Sequence, residues 1–165
     1  MIIILIAGVF ASVVQGKPGY RGVLVSGGKV SPKALGEGTN FRIPVFQRVI
    51  WMNVQPKIVE MTLLLPAATS DLHEIKMKIR VTHNIIPDKA PQVYQKVGRN
   101  NLSSVLYPGV TEAVMAVASG YIAEEFAANP KKVSSEIKEK LDSLMRGQGI
   151  AIGGVSVSNI QVSGS

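Results

Sequence analysis

The sequence predicts one domain that mixes strands and helices in separate runs. Three observations carry this: short β-rich stretches broken by glycine and proline fill the first half, apolar residues recur at helical spacing through much of the second, and the chain closes on a β-rich run. With 165 residues and 46% apolar content the chain can bury a core, which excludes disorder as its ground state. It has no cysteine, and so no disulfide framework, thiolate zinc site, iron–sulfur cluster or cysteine nucleophile.

Met1 to Val14 is the first element. Ile2, Ile3, Ile4, Leu5, Ile6, Val9, Phe10, Val13 and Val14 make it apolar without a single charged side chain. As a helix it would span about 21 Å, short of the roughly 30 Å hydrocarbon core of a bilayer. Three readings fit: a short or re-entrant membrane anchor, a signal-peptide core cleaved after Gly16, and a buried N-terminal strand. The anchor is preferred, with residues 1–16 as a membrane segment and 17–163 as the domain. A secretory signal would carry basic residues ahead of the apolar run, and a soluble domain has no reason to begin with one.

The net charge is +7, and it is uneven. Lys17 to Ile58 holds seven cations against Glu37, while Val59 to the C-terminus is nearly balanced. Behind an anchor, Lys17, Arg21, Lys29 and Lys33 would face anionic headgroups, where each nearby cation is worth about 1 kcal/mol. The alternative, ordinary solvated loop and edge-strand charge, stands equally.

Tyr20 to Val25 is a β-rich run closed by Gly27-Gly28, Gly36-Glu37-Gly38 is a loop, Phe41 to Ile43 is stopped by Pro44, and Val49 to Val54 precedes Pro56. Together these predict a small, partly antiparallel sheet. Leu72 to Val81 is the clearest strand, because Ile75, Met77, Ile79 and Val81 alternate with Lys76, Lys78 and Arg80. Helices are expected over 88–97, with Asp88 as N-cap, over 108–128, and over 130–146 after Asn129-Pro130. In the last of these Val133, Ile137, Leu141, Leu144 and Met145 share one face, with Lys132, Glu136, Lys140, Lys138 and Asp142 paired opposite. Ile150 to Val162 is a final strand, interrupted at Asn159.

No catalytic constellation emerges. His73 and His83 lie about 33 Å apart on one strand, too far to share a metal. Gly36-Glu37-Gly38 lacks the third glycine of a dinucleotide loop, and Gly27-Gly28-Lys29-Val30 has Val23 and Val30 where a P-loop needs glycine and Ser or Thr. Neither loop is expected to cradle a phosphate, and no metal or cofactor is expected. Glu124-Glu125 and Glu136/Glu139 read as solvated helix face, and Ser134-Ser135 has no histidine near it in sequence. The basic face of Lys76, Lys78 and Arg80 lacks interleaved aromatics, so nucleic acid is not the expected partner.

Four motifs carry a resemblance. Tyr20-Arg21-Gly22-Val23, then Gly36-Glu37-Gly38-Thr39-Asn40-Phe41-Arg42-Ile43-Pro44, then Thr69-Ser70-Asp71-Leu72 and Tyr94-Gln95-Lys96-Val97-Gly98 occur in the order and spacing seen in prohibitins. Residues 17–163 resemble the prohibitin branch of the stomatin, prohibitin and flotillin (SPFH, band 7) superfamily, with Gly36, Gly38, Phe41, Arg42, Ile43 and Pro44 as the most specific match. The resemblance implies an α+β domain, an antiparallel sheet packed by about three helices. It further implies a non-enzymatic, membrane-anchored scaffold in a bacterial-type cytoplasmic membrane or the mitochondrial inner membrane. Its subunits would assemble into large rings or cages, homo- or hetero-oligomeric, around a membrane patch and restrain proteases of the FtsH type. The sequence departs from the family at Arg99-Asn100-Asn101, where the family is acidic, and stops at Ser165, where the family continues into a coiled coil. The competing expectation is a soluble or secreted binding domain released after Gly16.

Overall fold

The computed structural model describes residues 13–43 and 46–163. Eight strands and four α-helices follow in the order β1 (Val13–Gly16), β2 (Tyr20–Ser26), β3 (Lys29–Leu35), β4 (Gly38–Phe41), β5 (Gln47–Asn53), β6 (Lys57–Leu65), β7 (Glu74–Ile85), α1 (Ala90–Val97), α2 (Ser103–Ala118), α3 (Ala123–Ala128), α4 (Pro130–Arg146) and β8 (Ile150–Ser163). A short 3-10 turn, Pro87–Lys89, leads into α1. The class is α+β, as expected. The strands form three sheets, in the orders β1-β4, β3-β2-β5 and β6-β7-β8.

The chain divides into two compact units. The first contains the chain up to Gln55 and Ile85–Asn100. Its central strand β2 pairs antiparallel with both β3 and β5. Gly27 and Gly28 both have positive φ, 53° and 80°, as a two-residue primed hairpin turn requires. Helix α1 lies against β2 and β3 and contributes Ala90 and Val93 to a small core with Val23 and Met52. The β1–β4 pair matches Val13 with Phe41 and Gly16 with Gly38. A Cβ on Gly16 would collide with the Gly36 carbonyl oxygen, so that strand can pass only as glycine.

The second unit comprises Pro56–Asn84 and Asn101–Ser165. β6 and β7 pair antiparallel from Lys57↔His83 to Leu65↔Ile75. Their inward residues Met61, Leu63, Leu65, Ile75, Met77, Ile79 and Val81 form the core with Leu106, Val110 and Val114 of α2 and Val133, Ile137, Leu141 and Met145 of α4. Phe126, from α3, is wholly buried among them. The apolar face expected for α4 is the one that is buried, with Leu144 at its margin.

Several expectations change. The helix expected over 108–128 is two: α2 starts earlier, carries Pro108 inside it and ends at Ala118, and α3 is a separate short helix. Asp88 makes no cap, since it lies in the 3-10 turn and the residue before α1 is Lys89. The expected single sheet is three. The strand expected from Leu72 begins at Glu74 because Leu72 itself has φ 60°, outside any strand conformation. The strand expected at Phe41–Ile43 is β4, ending at Phe41. Val13 and Val14 of the expected anchor belong to β1, while Ile2, Ile3, Ile4, Leu5, Ile6, Val9 and Phe10 lie outside the described residues, as does Pro44. Among the described residues no helix is long and apolar enough to cross a membrane.

Candidate functional site

The motif residues around Gly36–Ile43 form a fixed scaffold for exposed apolar side chains. Glu37 accepts hydrogen bonds from the Gly19 N–H at 3.3 Å and from Arg21 Nη1 at 3.2 Å. These bonds, the Gly19 N–H foremost, hold its carboxyl below the usual range. Asn40 donates its amide to the Gly36 and Gly38 carbonyls, at 2.9 and 3.1 Å. Arg42 Nη1 donates to the Gln47 carbonyl at 3.0 Å, and Gln47 Oε1 accepts from the Ile43 N–H at 2.8 Å. Arg42 Nε is buried with no partner among the described residues.

On this frame Phe41, Ile43 and Phe46 stand 72%, 58% and 71% exposed. Three large apolar side chains within six residues are thus left in water, more than scattered exposed apolar residues account for. Arg42 and Arg48 flank them. Phe46 was not singled out from the sequence; the available signal was the apolar and basic mixture of Phe41-Arg42-Ile43-Pro44-Val45-Phe46-Gln47-Arg48, which reads equally as a strand cut by proline.

Lys17, Lys29 and Lys33 are exposed and have no acid partner among the described residues, whereas Arg21 is half-buried and bound to Glu37. The fold also sorts charge. The first unit carries nine Lys and Arg against Glu37 and Asp88, which is the whole +7, and the second carries nine of each sign.

In the second unit the Thr69-Ser70-Asp71-Leu72 motif is a structural latch. Thr69 Oγ1 accepts from the His73 N–H at 3.0 Å, Ser70 donates its N–H and hydroxyl to the Tyr121 carbonyl, each at 2.9 Å, and the Asp71 carboxylate accepts the Ala123 N–H at the start of α3. His73 Nδ1 sits 3.1 Å from Asp71 Oδ2. The basic face of β7 is interrupted, because Arg80 is bound to Glu60 at 2.9 Å across the strands. No group of three His, Asp or Glu side chains among the described residues could hold a metal ion.

Comparison with known families decides the relationship. The model of the SPFH domain / Band 7 family matches residues 14–165. The chain belongs to this family. Prohibitin-2, mitochondrial, of Arabidopsis thaliana is 31% identical over 133 residues, covering 79% of this chain and 45% of that protein. Prohibitin-1 of Saccharomyces cerevisiae is 26% identical over 160 residues, covering 95% of this chain and 54% of its own length. Mitochondrial prohibitin complex protein 1 of Caenorhabditis elegans is 24% identical over 131 residues, covering 79% and 47%. This prohibitin-like SPFH chain thus spans about half the length of the curated relatives it matches. The match takes in all four sequence motifs that carried the resemblance.

Proposed function

We propose that this SPFH domain is the membrane-facing part of a non-enzymatic scaffold that self-associates, as a homo- or hetero-oligomer, to organise a bilayer patch. The observation that carries the reading is the coincidence of the exposed Phe41, Ile43 and Phe46 with the unit that holds the entire net charge. Apolar side chains that can enter the headgroup boundary, on a unit that carries an excess of cations, are the two ingredients of interfacial binding. β1 pairs with β4, so the chain leaving the apolar N-terminal run at Val13 does so beside Phe41. Residues 1–16 as an anchor, and Lys17, Lys29 and Lys33 at the headgroups, belong to the same reading. A mitochondrial-type membrane and assembly into a complex are supported by the names of the relatives. Restraint of an FtsH-type protease is the client activity that the resemblance suggests.

The test is flotation of the full chain on liposomes containing anionic lipid, with mass photometry of the detergent-extracted protein, against a Phe41→Ser/Ile43→Ser/Phe46→Ser variant. If half the apolar area of the three side chains leaves water, they contribute about 3 kcal/mol to partition, about a hundredfold. The full chain should float and give discrete particles above monomer mass, and the variant should partition to the liposomes about a hundredfold more weakly at high salt, where the cations are screened. A full chain that stays soluble and monomeric sinks the scaffold reading in favour of a soluble binding domain. Equal flotation of both proteins removes the loop from it.

A further inference from the structure

The turn between β2 and β3 and the carboxyl end of α1 enclose a shallow depression lined by Gly28, Lys29, Val30, Tyr94, Gln95, Gly98 and Arg99. From this placement we infer a second, polar site in the basic unit: a binding site for a phosphate group, with Lys29 and Arg99 as its charged donors. Gln95, Tyr94 and the bare glycines complete its rim.

Four features support it. No carboxylate lines the depression, and neither Lys29 nor Arg99 has an acid partner among the described residues. Among the described residues the unit's two acids are elsewhere engaged or placed: Glu37 is bound to Arg21 and Gly19, and Asp88 lies before the opposite end of α1, a helix about 12 Å long. The Tyr94 hydroxyl and the Gln95 amide also line the depression, so it offers donors of several kinds. Gly28 and Gly98 have φ of 80° and 83°, with open space where a Cβ would stand, which leaves the approach to the two cations uncovered.

The opposing term is small. The carbonyl end of a helix carries about half a negative charge, and the Gly98 N–H already occupies the Tyr94 carbonyl, while Lys96 in the last turn counters the remainder. Two full cations outweigh it. This is no P-loop, since Lys29 opens strand β3 rather than a helix, and the attraction comes from side-chain charge. An arginine supplies the planar donor pair that suits phosphate oxygens, and the lysine a point charge.

A phosphate of this kind can come from an anionic lipid headgroup or from a free phosphorylated solute, and the experiment separates them. The headgroup arm rests on the bilayer reading above; the solute arm does not. The full chain in neutral maltoside micelles is titrated with inorganic phosphate while the Gly28 and Gly98 amide resonances are followed. In parallel, retention on phosphatidylcholine vesicles with and without phosphatidylglycerol is compared for the full chain, for Lys29→Gln/Arg99→Gln, and for the charge-matched Lys131→Gln/Lys140→Gln control on α4. The site predicts saturable shifts at the two glycines, absent in Lys29→Gln/Arg99→Gln. It also predicts a loss of anionic-vesicle retention of about tenfold for that variant and several times less for the control. Saturable shifts with equal vesicle losses assign the site to a soluble phosphate. Selective vesicle loss without shifts assigns it to a headgroup. A full chain that ignores vesicles but shows the shifts overturns the bilayer reading and leaves the site. No saturation together with equal losses, or with no vesicle binding at all, overturns the site.

Discussion

At the scale of single residues, the second unit depends on polar side chains whose partners lie far off in sequence. Asp142 reaches from α4 to accept the Ile152 N–H at 2.9 Å and the Arg146 guanidinium at 2.6 Å. Burial works to raise its pKa, but these donors and the charge of Lys138 prevail and hold it low. The sequence pairs Asp142 with Lys138, whereas the closer ion pair is with Arg146, the acid-first i,i+4 orientation that helices favour. His83 is the converse case. It lies on the inward side of β7, 8% exposed, opposite Lys57, with Nδ1 lacking a partner among the described residues. Burial lowers its pKa, hydrogen bonding with the Val81 backbone opposes this, and the Lys57 charge adds to it. Between the lowered folded value and the ordinary one, the unfolded chain binds a proton that the folded chain refuses, so stability falls as pH drops through the histidine range. The thermal midpoint should therefore fall from about pH 7.5 to about pH 5.5, and His83→Leu should flatten that slope while leaving His73 in place. Parallel pH profiles for the two proteins would assign the slope to another group.

The elements that were legible in the sequence are those with a clean period. α4 and the alternating part of β7 were readable because each buries one face against the same core. β3 was not. It is an edge strand with Pro32 in its middle, and its register against β2 shifts between Val23 and Val25, so the proline sits where the ladder is already irregular. β6 was hidden because Ile58 and Leu64 face outward, 67% and 59% exposed, and blur the alternation of Val59, Met61, Leu63 and Leu65. The break between α2 and α3 has no sequence stop beyond Gly120. It is fixed by the latch from Ser70 and Asp71 and by Tyr121, whose hydroxyl donates to the Glu136 carboxylate at 2.8 Å. Where α2 crosses α4 the helices approach through Gly109, and a Cβ there would meet the Met145 methyl group. Gly109→Ala displaces only the end of a flexible side chain. Gly109→Val adds two methyl groups in the same space and should destabilise the fold by about 1–3 kcal/mol, read by urea denaturation. A valine variant as stable as the parent would show that the two helices separate freely.

At the scale of the whole molecule, the sequence locates the basic excess roughly and the fold locates it fully. Lys89, Lys96 and Arg99 lie late in the chain, but they return with α1 to the unit built by the first 55 residues, while Lys57 leaves it. One unit then holds +7 and the other is neutral, which no running count along the chain displays. The apolar loop was less legible because exposure is a tertiary property: Phe41 and Phe46 look like the core-facing Phe126 until the packing is known. A molecule with separate charged and apolar contacts should bind anionic membranes in two separable parts. Raising salt from about 0.01 M to about 1 M shrinks the screening length from about 30 Å to about 3 Å, which removes the attraction of the cations and leaves apolar insertion intact. Retention of the full chain on phosphatidylglycerol-containing vesicles should therefore fall with salt to a plateau rather than to zero. The Phe41→Ser/Ile43→Ser/Phe46→Ser variant should lower the plateau while keeping the low-salt component. Retention that vanishes with salt in the parent would mean that charge alone holds the domain to the membrane, and that residues 1–16 and the exposed loop contribute nothing to the contact.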